Sequence, residues 1–229
     1  MYANNEIGTI EPIKEIANIA HEHDCIFHTD AVQAVGHIPI NVQEMGIDLL
    51  SASAHKFNGP KGVGFLYKRN SIILSPLIYG GSQESGLRAG TENVAGIVAM
   101  ASALEENALQ IVNNAQHIKQ LENQLISMLT ESGIKFQRNG APNHTPGNIS
   151  LSFPEADGEA LLHRLDFLGI CVSTGSACDS KKKQISHVLK AIELEERLAK
   201  GTIRISLGKN NTENDVSHIV EALKRILAK

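Results

Sequence analysis

The fold of this chain is decided by one stretch, Ser51-Ala-Ser-Ala-His-Lys-Phe-Asn-Gly-Pro-Lys-Gly-Val-Gly64. The apolar residues 47–53 predict a buried strand, and the glycines and proline near its end predict irregular backbone. Lys56 stands where the strand gives way to the turn. Burial there would lower the basicity of its amine and suit it to form a Schiff base with a carbonyl. The plainer alternative, common for a single lysine at a strand end, is a side chain that extends its charge into solvent.

Strands and helical segments alternate around this stretch. The predicted elements are a helix at 12–23 and strands at 25–28, 47–53 and 63–67. Such alternation is typical of an α/β domain with a mostly parallel sheet, in which ligands bind beyond the C-terminal ends of the strands. Asp30 and Lys56 both follow such strand ends, so we expect them to be neighbours.

The pattern changes in the second half of the chain. A glycine-rich loop at 75–93 precedes apolar residues that repeat at helical spacing from Val94 to Leu125, which predicts a helix bridging two domains. After this helix, strands are predicted at 134–137, 148–153 and 201–207, with helix N-caps at Asp157 and Thr212. Within the last of these strands, alternate residues are expected to face inward (Ile203, Ile205 and Leu207) and outward (Thr202, Arg204 and Ser206). We therefore predict a partial large domain at residues 1–108 and a smaller α+β domain at residues 109–229.

Composition excludes several classes of function. The net charge of -4 argues against a nucleic-acid or anionic-membrane partner, and no apolar run reaches the roughly 20 residues of a membrane span. Residues 1–8 carry no signal-peptide pattern. The cysteines are few, odd in number and without metal-ligand spacing, which indicates reduced thiols in the cytoplasm and no metal site. Of these, Cys25 and Cys171 are expected in the core.

Several motifs follow one another along the chain. They are Met1-Tyr-Ala-Asn-Asn-Glu-Ile-Gly8, His28-Thr-Asp-Ala-Val-Gln33, Ser53-Ala-His-Lys56, Gly59-Pro-Lys-Gly-Val-Gly64, Arg88-Ala-Gly-Thr91, Thr174-Gly-Ser-Ala-Cys178, Ser186-His-Val-Leu189 and Ile203-Arg-Ile-Ser-Leu-Gly208. In content and order they resemble the cysteine desulfurases, the class V branch of the fold-type-I pyridoxal-phosphate enzymes. The resemblance implies that fold, with a mostly parallel sheet in the large domain and an α+β C-terminal domain.

The resemblance also implies roles around pyridoxal 5'-phosphate. Lys56 would hold the cofactor covalently, and Asp30 would face the pyridine nitrogen and keep it protonated, so that the ring withdraws electrons. Gln33 would donate to the phenolic oxygen of the ring. Ser53 and His55 would bind the phosphate.

Further implied roles concern the substrate and a second subunit. Asn5 would lie near the phenolic oxygen and the substrate carboxylate, which Arg204 would bind by a bidentate pair. Thr91 would reach the phosphate of the neighbouring subunit's cofactor, which implies a homodimer. Cys178 would accept the sulfur of L-cysteine as a persulfide, leaving alanine, and the basic residues 181–183 beside it would favour the thiolate.

Taken one at a time, these residues have plainer interpretations. These are turn residues for Asn5 and Asp30, a packed or surface histidine for His55, a helix N-cap for Thr91 and a solvated arginine for Arg204.

The resemblance begins partway along the family's pattern. We expect a chain that lacks the family's N-terminal region, associates with itself or with a separate N-terminal piece, and has little or no desulfurase activity alone. The leading interpretation is a cysteine desulfurase that passes sulfur to an acceptor protein for iron–sulfur clusters or thiolated cofactors. The alternatives are a selenocysteine lyase or other class V enzyme, and a non-catalytic remnant that acts as a binding or assembly module.

Overall fold

The computed structural model describes residues 1–175 and 185–227. Over these ranges the helices are α1 (Ile13–Glu22), α2 (Val94–Glu131), α3 (Gly158–Asp166), α4 (His187–Ala191), α5 (Glu196–Lys200) and α6 (Glu213–Leu227). The strands are β1 (His28–Asp30), β2 (Leu49–Ser53), β3 (Gly64–Lys68), β4 (Gln137–Arg138), β5 (Asn148–Ser152) and β6 (Thr202–Ser206). Two short 3-10 turns lie at Ala54–Lys56 and Glu84–Gly86.

The chain forms two compact units. Unit 1 comprises Met1–Tyr2 and Glu11–Ile111 and carries β1, β2 and β3. Unit 2 comprises Ala3–Ile10 and Val112–Lys229 and carries β4, β5 and β6. The second unit therefore takes a short segment from near the start of the chain, in addition to the C-terminal half.

The sheet of unit 1 is mixed. Strand β1 pairs parallel with β2, placing Asp30 opposite Ser51, and β2 pairs antiparallel with β3, placing Ser53 opposite Gly64. The connection 54–63 is short, and a parallel crossover needs about a dozen residues or more, so β3 returns as the antiparallel partner. These three strands consequently do not show the mostly parallel sheet that we expected.

The first strand begins later than predicted. Residues 25–28 were expected to form it, but the amide of Cys25 donates to the carbonyl of Ala20, 2.8 Å away, and so completes the end of α1. The strand starts only at His28. Cys25 is exposed, as is Cys171, and the prediction that both belong to the core is wrong.

Two loops of unit 1 meet in a close packing contact. Phe57, in the turn after β2, is fully buried, and Gly36, in the loop after β1, lies against it with φ +80°. A Cβ atom at position 36 would stand 2.6 Å from the Phe57 Cβ, which is shorter than real contacts allow. The sequence thus places a glycine where the backbone must approach an aromatic side chain.

Unit 2 has an antiparallel sheet in the order β4-β5-β6. Helices α3 and α6 and the later turns of α2 cover it with apolar side chains, and its core includes Leu125, Leu129, Ile149, Leu151, Leu165, Ile203, Ile205 and Leu223. The predicted alternation along β6 is confirmed for Ile203, Ile205 and Leu207, which are buried. Thr202 was expected to face outward, but it is buried, and its hydroxyl pairs with that of Ser152 at 2.7 Å.

The helix starts follow local side-chain chemistry. Asp157 caps α3 by accepting from the amide of Ala160, and Thr212 caps α6 by accepting from that of Asp215, both as predicted. Asn93, whose side chain accepts from the amide of Gly96, stands at the start of α2, so the N-cap interpretation of Thr91 is wrong. Within residues 1–175 and 185–227 no helix has the length and apolarity to cross a bilayer.

Candidate active site

The parallel pairing of β1 with β2 brings two strand ends to the same edge of the unit 1 sheet. Asp30 is the last residue of β1, and Ser53 is the last residue of β2. The carboxylate of Asp30 accepts a hydrogen bond of 2.9 Å from the amide of Val32, which fixes the start of the next loop. One sheet edge thus presents a carboxylate from one strand and a hydroxyl from its neighbour.

The turn after β2 carries the central lysine. In the 3-10 turn Ala54–Lys56 the side chain of Ala54 is buried, and Phe57 beyond it is fully buried, whereas His55 and Lys56 are exposed. The hydroxyl of Ser53 lies 2.8 Å from Nδ1 of His55. This hydroxyl–imidazole pair is a suitable arrangement for a phosphate group.

Lys56 is exposed, which differs from the burial expected at the end of the strand. We expected burial at the strand end to desolvate the amine. The 3-10 turn instead gives the buried positions to Ala54 and Phe57 and leaves Lys56 at the surface of unit 1. In the described chain the lysine therefore follows the plainer interpretation, and its predicted role rests on its place at the sheet edge rather than on desolvation.

Gln33 lies in the loop that leaves β1. Backbone hydrogen bonds from Ala34 and Val35 to the carbonyl of Ala31 wind this loop into a tight turn. Ala31 and Ala34 are fully buried by the turn, and Gln33 between them stays half-buried. The loop thus fixes Gln33 close in sequence and in space to Asp30.

Two side chains that the sequence did not point to make hydrogen bonds to the main chain of residues 54–57, the lysine turn. Nε2 of His37 lies 2.8 Å from the main-chain oxygen of Lys56, and Nδ2 of Asn107 donates to that of Phe57 over the same distance. Sequence patterns gave no signal for either contact, because His37 and Asn107 lie 19 and 50 positions away from the residues that they contact.

In unit 2, Asn5 and Arg204 are brought together. Nη1 of Arg204 donates to the main-chain oxygen of Asn5 at 2.7 Å, and Nη2 donates to the hydroxyl of Ser173 at 3.3 Å. Nδ2 of Asn148 also donates to the main-chain oxygen of Asn5, at 3.3 Å. Asn5 contacts Arg204 through its main-chain oxygen, so this contact does not occupy the side chain of Asn5.

Glu6 adds a charge that acts on Arg204 and that the sequence patterns did not indicate. It is 3% exposed, and its Oε2 is buried with no hydrogen-bond partner among the described residues; Nε of Arg204 is likewise buried without one. Burial lowers the pKa of the Arg204 guanidinium from its ordinary value, and the charge of Glu6 opposes that effect. The only signal for Glu6 was its place beside Asn5 in the motif at residues 1–8.

The remaining predicted residues are not assembled by the described structure. Thr91 is exposed in the loop before α2. Cys178 lies outside the described residues. Of the candidates, Asp30, Gln33, Ser53, His55, Lys56 and Thr91 belong to unit 1, and Asn5 and Arg204 belong to unit 2. Among the described residues no group of three histidine, cysteine or carboxylate side chains is arranged to hold a metal ion.

Comparisons with known proteins point to a single family. The family described as Aminotransferase class-V matches residues 1–219. The chain is 50% identical to a cysteine desulfurase IscS of Dictyoglomus turgidum and 46% identical to one of Methanosarcina thermophila, with 100% of this chain covered in each case. It spans 58% and 57% of the lengths of these relatives.

Solved structures give the same result. A NifS-like protein superimposes with a TM-score of 0.90 at 40% identity, covering 100% of this chain and 60% of that one. A structure of SspA in complex with cysteine superimposes with a TM-score of 0.75 at 37% identity, covering 92% of this chain and 58% of that one. The fold of this chain is therefore similar to somewhat more than half of each of these proteins.

Proposed function

Because this chain belongs to the class-V aminotransferase family, we propose that it takes part in removing sulfur from L-cysteine with pyridoxal 5'-phosphate as cofactor. The relatives named above as cysteine desulfurases support this choice within the family. Since the chain spans 58% of the length of its relatives, activity, substrate and partners are proposals. The domain division is also proposed: a partial large domain at 1–108, whose described strands form a mixed sheet, and a smaller α+β domain at 109–229.

The observation that carries the proposal is the shared sheet edge of unit 1. The parallel pair β1–β2 places Asp30, Ser53 and the Lys56 turn at the C-terminal ends of neighbouring strands. Ligands of α/β proteins bind at such edges. A carboxylate, a hydroxyl–imidazole pair and a primary amine together match a pyridinium nitrogen, a phosphate and an aldehyde.

These donors fit pyridoxal 5'-phosphate. Lys56 would hold its aldehyde carbon, Asp30 its ring nitrogen, Gln33 its phenolic oxygen, and Ser53 with His55 its phosphate. When bound, the cofactor withdraws electrons from the substrate carbon next to the amino group. The protein would position these side chains around the ring, keep the ring nitrogen protonated through Asp30 and supply the amine of Lys56 as a base.

The remaining roles belong to the chain's own side chains. The amine of Lys56 would take the proton from the substrate α-carbon, and Arg204, with Asn5, would bind the substrate carboxylate. The thiolate of Cys178 would then attack the substrate sulfur, forming a sulfur–sulfur bond as the carbon–sulfur bond breaks. L-cysteine and the Cys178 thiol would thus give alanine and a Cys178 persulfide, with no external oxidant or reductant required.

The proposal extends to partners. We propose a homodimer in which Thr91 reaches the cofactor of the other subunit, or a complex with a separate N-terminal piece, and a downstream protein that accepts the sulfur. The cytoplasm is the proposed location, because a persulfide carrier needs a reduced thiol. Selenocysteine is an alternative substrate for the same donor set.

A non-catalytic binding or assembly module is the second candidate. The exposure of Lys56 favours it, because lysines that form Schiff bases are commonly desolvated in an apolar pocket. The two candidates differ in what the chain does with cysteine.

One experiment separates them. The chain is incubated with the cofactor and L-cysteine, and alanine is measured over time. The mass of the peptide containing Cys178 is then measured by mass spectrometry. We expect slow alanine formation and a mass gain of one sulfur on that peptide, with both lost in Lys56→Ala and in Cys178→Ser. Absence of alanine and of the persulfide in the unchanged chain would favour the binding module.

A further inference from the structure

We propose that His37 is a positioning residue for Lys56. In this proposal the imidazole ring holds the main chain of the lysine turn against the loop that carries Asp30 and Gln33. The inference rests on the proposed function, since it assumes that the place of the Lys56 amine matters. The hydrogen bond itself does not depend on that function.

The direct observation is the contact of the ring with the backbone of Lys56. Nε2 of His37 lies 2.8 Å from the carbonyl oxygen of Lys56. A carbonyl oxygen can only accept, so Nε2 carries the hydrogen and donates it. The same geometry serves the neutral ring in that tautomer and the protonated ring.

A second contact joins the same two segments one residue away. Gly36 packs so closely on Phe57 that a Cβ atom there would lie 2.6 Å from the Phe57 Cβ. Positions 36 and 37 of the loop after β1 thus contact positions 57 and 56 of the turn after β2. These paired contacts set the spacing between the loop with Asp30 and Gln33 and the turn with Lys56.

Helix α2 holds the turn from another element. Nδ2 of Asn107 donates to the carbonyl of Phe57 at 2.8 Å and to that of Ala103, in its own helix, at 2.7 Å. Asn107 is 5% exposed. Consecutive carbonyls, of Lys56 and Phe57, are therefore each fixed by a side chain from a different part of unit 1.

Backbone hydrogen bonds inside the turn give a local measure of its order. The carbonyl of Ala54 accepts from the amide of Phe57 at 3.0 Å and from that of Gly59 at 2.8 Å. A lysine side chain has a flexible four-carbon stem, so its amine is placed accurately only if its backbone is. Errors of about 1 Å in such placement are costly for catalysis.

The test compares His37→Ala with His37→Gln, whose amide can donate to the same carbonyl. His23→Ala, which changes an exposed histidine of unit 1, is the control. The first readout is amide hydrogen exchange at Phe57 and Gly59. We expect exchange there to quicken about fivefold in His37→Ala, the effect of losing one hydrogen bond, and to stay near the original rate in His37→Gln and His23→Ala.

The second readout is covalent trapping of the cofactor on the lysine. The chain is mixed with pyridoxal 5'-phosphate and reduced with borohydride, and the adduct on the peptide containing Lys56 is quantified over time. We expect trapping to slow in His37→Ala by a factor similar to that seen in exchange, and to recover in His37→Gln.

The outcomes separate the inference from the proposed function. If the unchanged chain forms no adduct at Lys56, the proposed function fails, and hydrogen exchange alone decides whether His37 holds the turn. Equal exchange at Phe57 and Gly59 in His37→Ala and the unchanged chain overturns the inference. So does a loss of protection spread evenly over unit 1, or a failure of His37→Gln to restore the turn.

Discussion

Nη1 of Arg204 donates to the main-chain oxygen of Asn5 over 2.7 Å, joining residues 199 positions apart in the chain. Because Nη2 of the same guanidinium also donates to Ser173, one planar group fixes two separate segments of unit 2. A lysine offers one ammonium in place of this fork and cannot reach both acceptors at once.

Arg204→Lys is therefore expected to lower the free energy of unfolding by about 1–3 kcal/mol. Urea denaturation followed by circular dichroism measures this change. The control is Arg197→Lys, since Arg197 is exposed on α5 and its ion pair with Glu195 is solvated. Equal midpoints for the two variants would show that the Arg204 contacts do not stabilise unit 2.

Acid is expected to destabilise unit 2 through Glu122, whose side chain is fully buried. Burial alone would raise its pKa. Hydrogen bonds from His144 and Arg138, the charge of Arg138 and the amide of Gly147 instead lower the pKa to about 2 from an ordinary value of 4.5. The stabilisation is thus fully present above about pH 4.5 and is lost as the pH falls through about 2, which amounts to roughly 3 kcal/mol.

Glu122→Gln tests this account. Removing the charge leaves the half-buried Arg138 without its carboxylate, so we expect a loss of about 3 kcal/mol at pH 7 and a flatter pH dependence between pH 4.5 and 2. Urea midpoints measured across that pH range give both quantities. Glu196→Gln, which changes an exposed carboxylate paired with Lys200, should leave the pH profile nearly unchanged. An unaltered slope in Glu122→Gln would assign the acid sensitivity to other groups.

Asn107→Ala is expected to destabilise unit 1 by about 1–3 kcal/mol. The substitution removes the side-chain hydrogen-bond donor to the carbonyl of Phe57, and both residues are buried. Thermal unfolding measures the effect. Asn18→Ala, on the exposed face of α1, should be neutral or slightly stabilising, since alanine has the higher helix propensity. Indistinguishable melting temperatures for the two variants would contradict the contact.

Two glycines with nearly the same backbone separate strain from crowding. Gly36 and Gly62 have φ of +80° and +82°, but a Cβ at position 62 would meet nothing within 4 Å. Gly62→Ala should cost about 1 kcal/mol from backbone strain alone. Gly36→Ala should cost a further 1–3 kcal/mol, roughly, from overpacking against Phe57. Urea denaturation compares them, and equal losses would mean that the loop yields and the packing is loose.

Binding of pyridoxal 5'-phosphate to Lys56 is expected to give a visible absorption band. The band should disappear in Lys56→Ala and persist in Lys61→Ala, which removes another exposed lysine in the same loop. Titration of the cofactor in a spectrophotometer measures this directly. A band that survives in Lys56→Ala would place the covalent bond on another amine.

Local chemistry was predictable from the sequence. Asp157 and Thr212 cap helices because their side chains reach amides only three residues away, and the alternation of Ile203, Ile205 and Leu207 follows from the strand period. Strand β2, Leu49–Ser53, also lies within the strand predicted at 47–53. These features depend on neighbours within a few positions.

Features that depend on distant residues were missed. The hydrogen bonds of His37 and Asn107 to the lysine turn join separate loops, and periodicity carries no information about them. The exposure of Lys56 depends on which turn residues take the buried positions. Cys25 was assigned to a strand because it is apolar, yet the hydrogen bond to Ala20 at the end of α1 decides its place.

The membership of Ala3–Ile10 in unit 2 has a consequence for how a cell makes this protein. A ribosome adds about 5–20 residues per second, so Asn5 is synthesised roughly 10–40 seconds before Arg204 exists. During translation the segment Ala3–Ile10 therefore stays exposed to solvent, or bound to a chaperone, while unit 1 is synthesised. The timing of synthesis, and not only the finished contacts, thus governs when unit 2 can close.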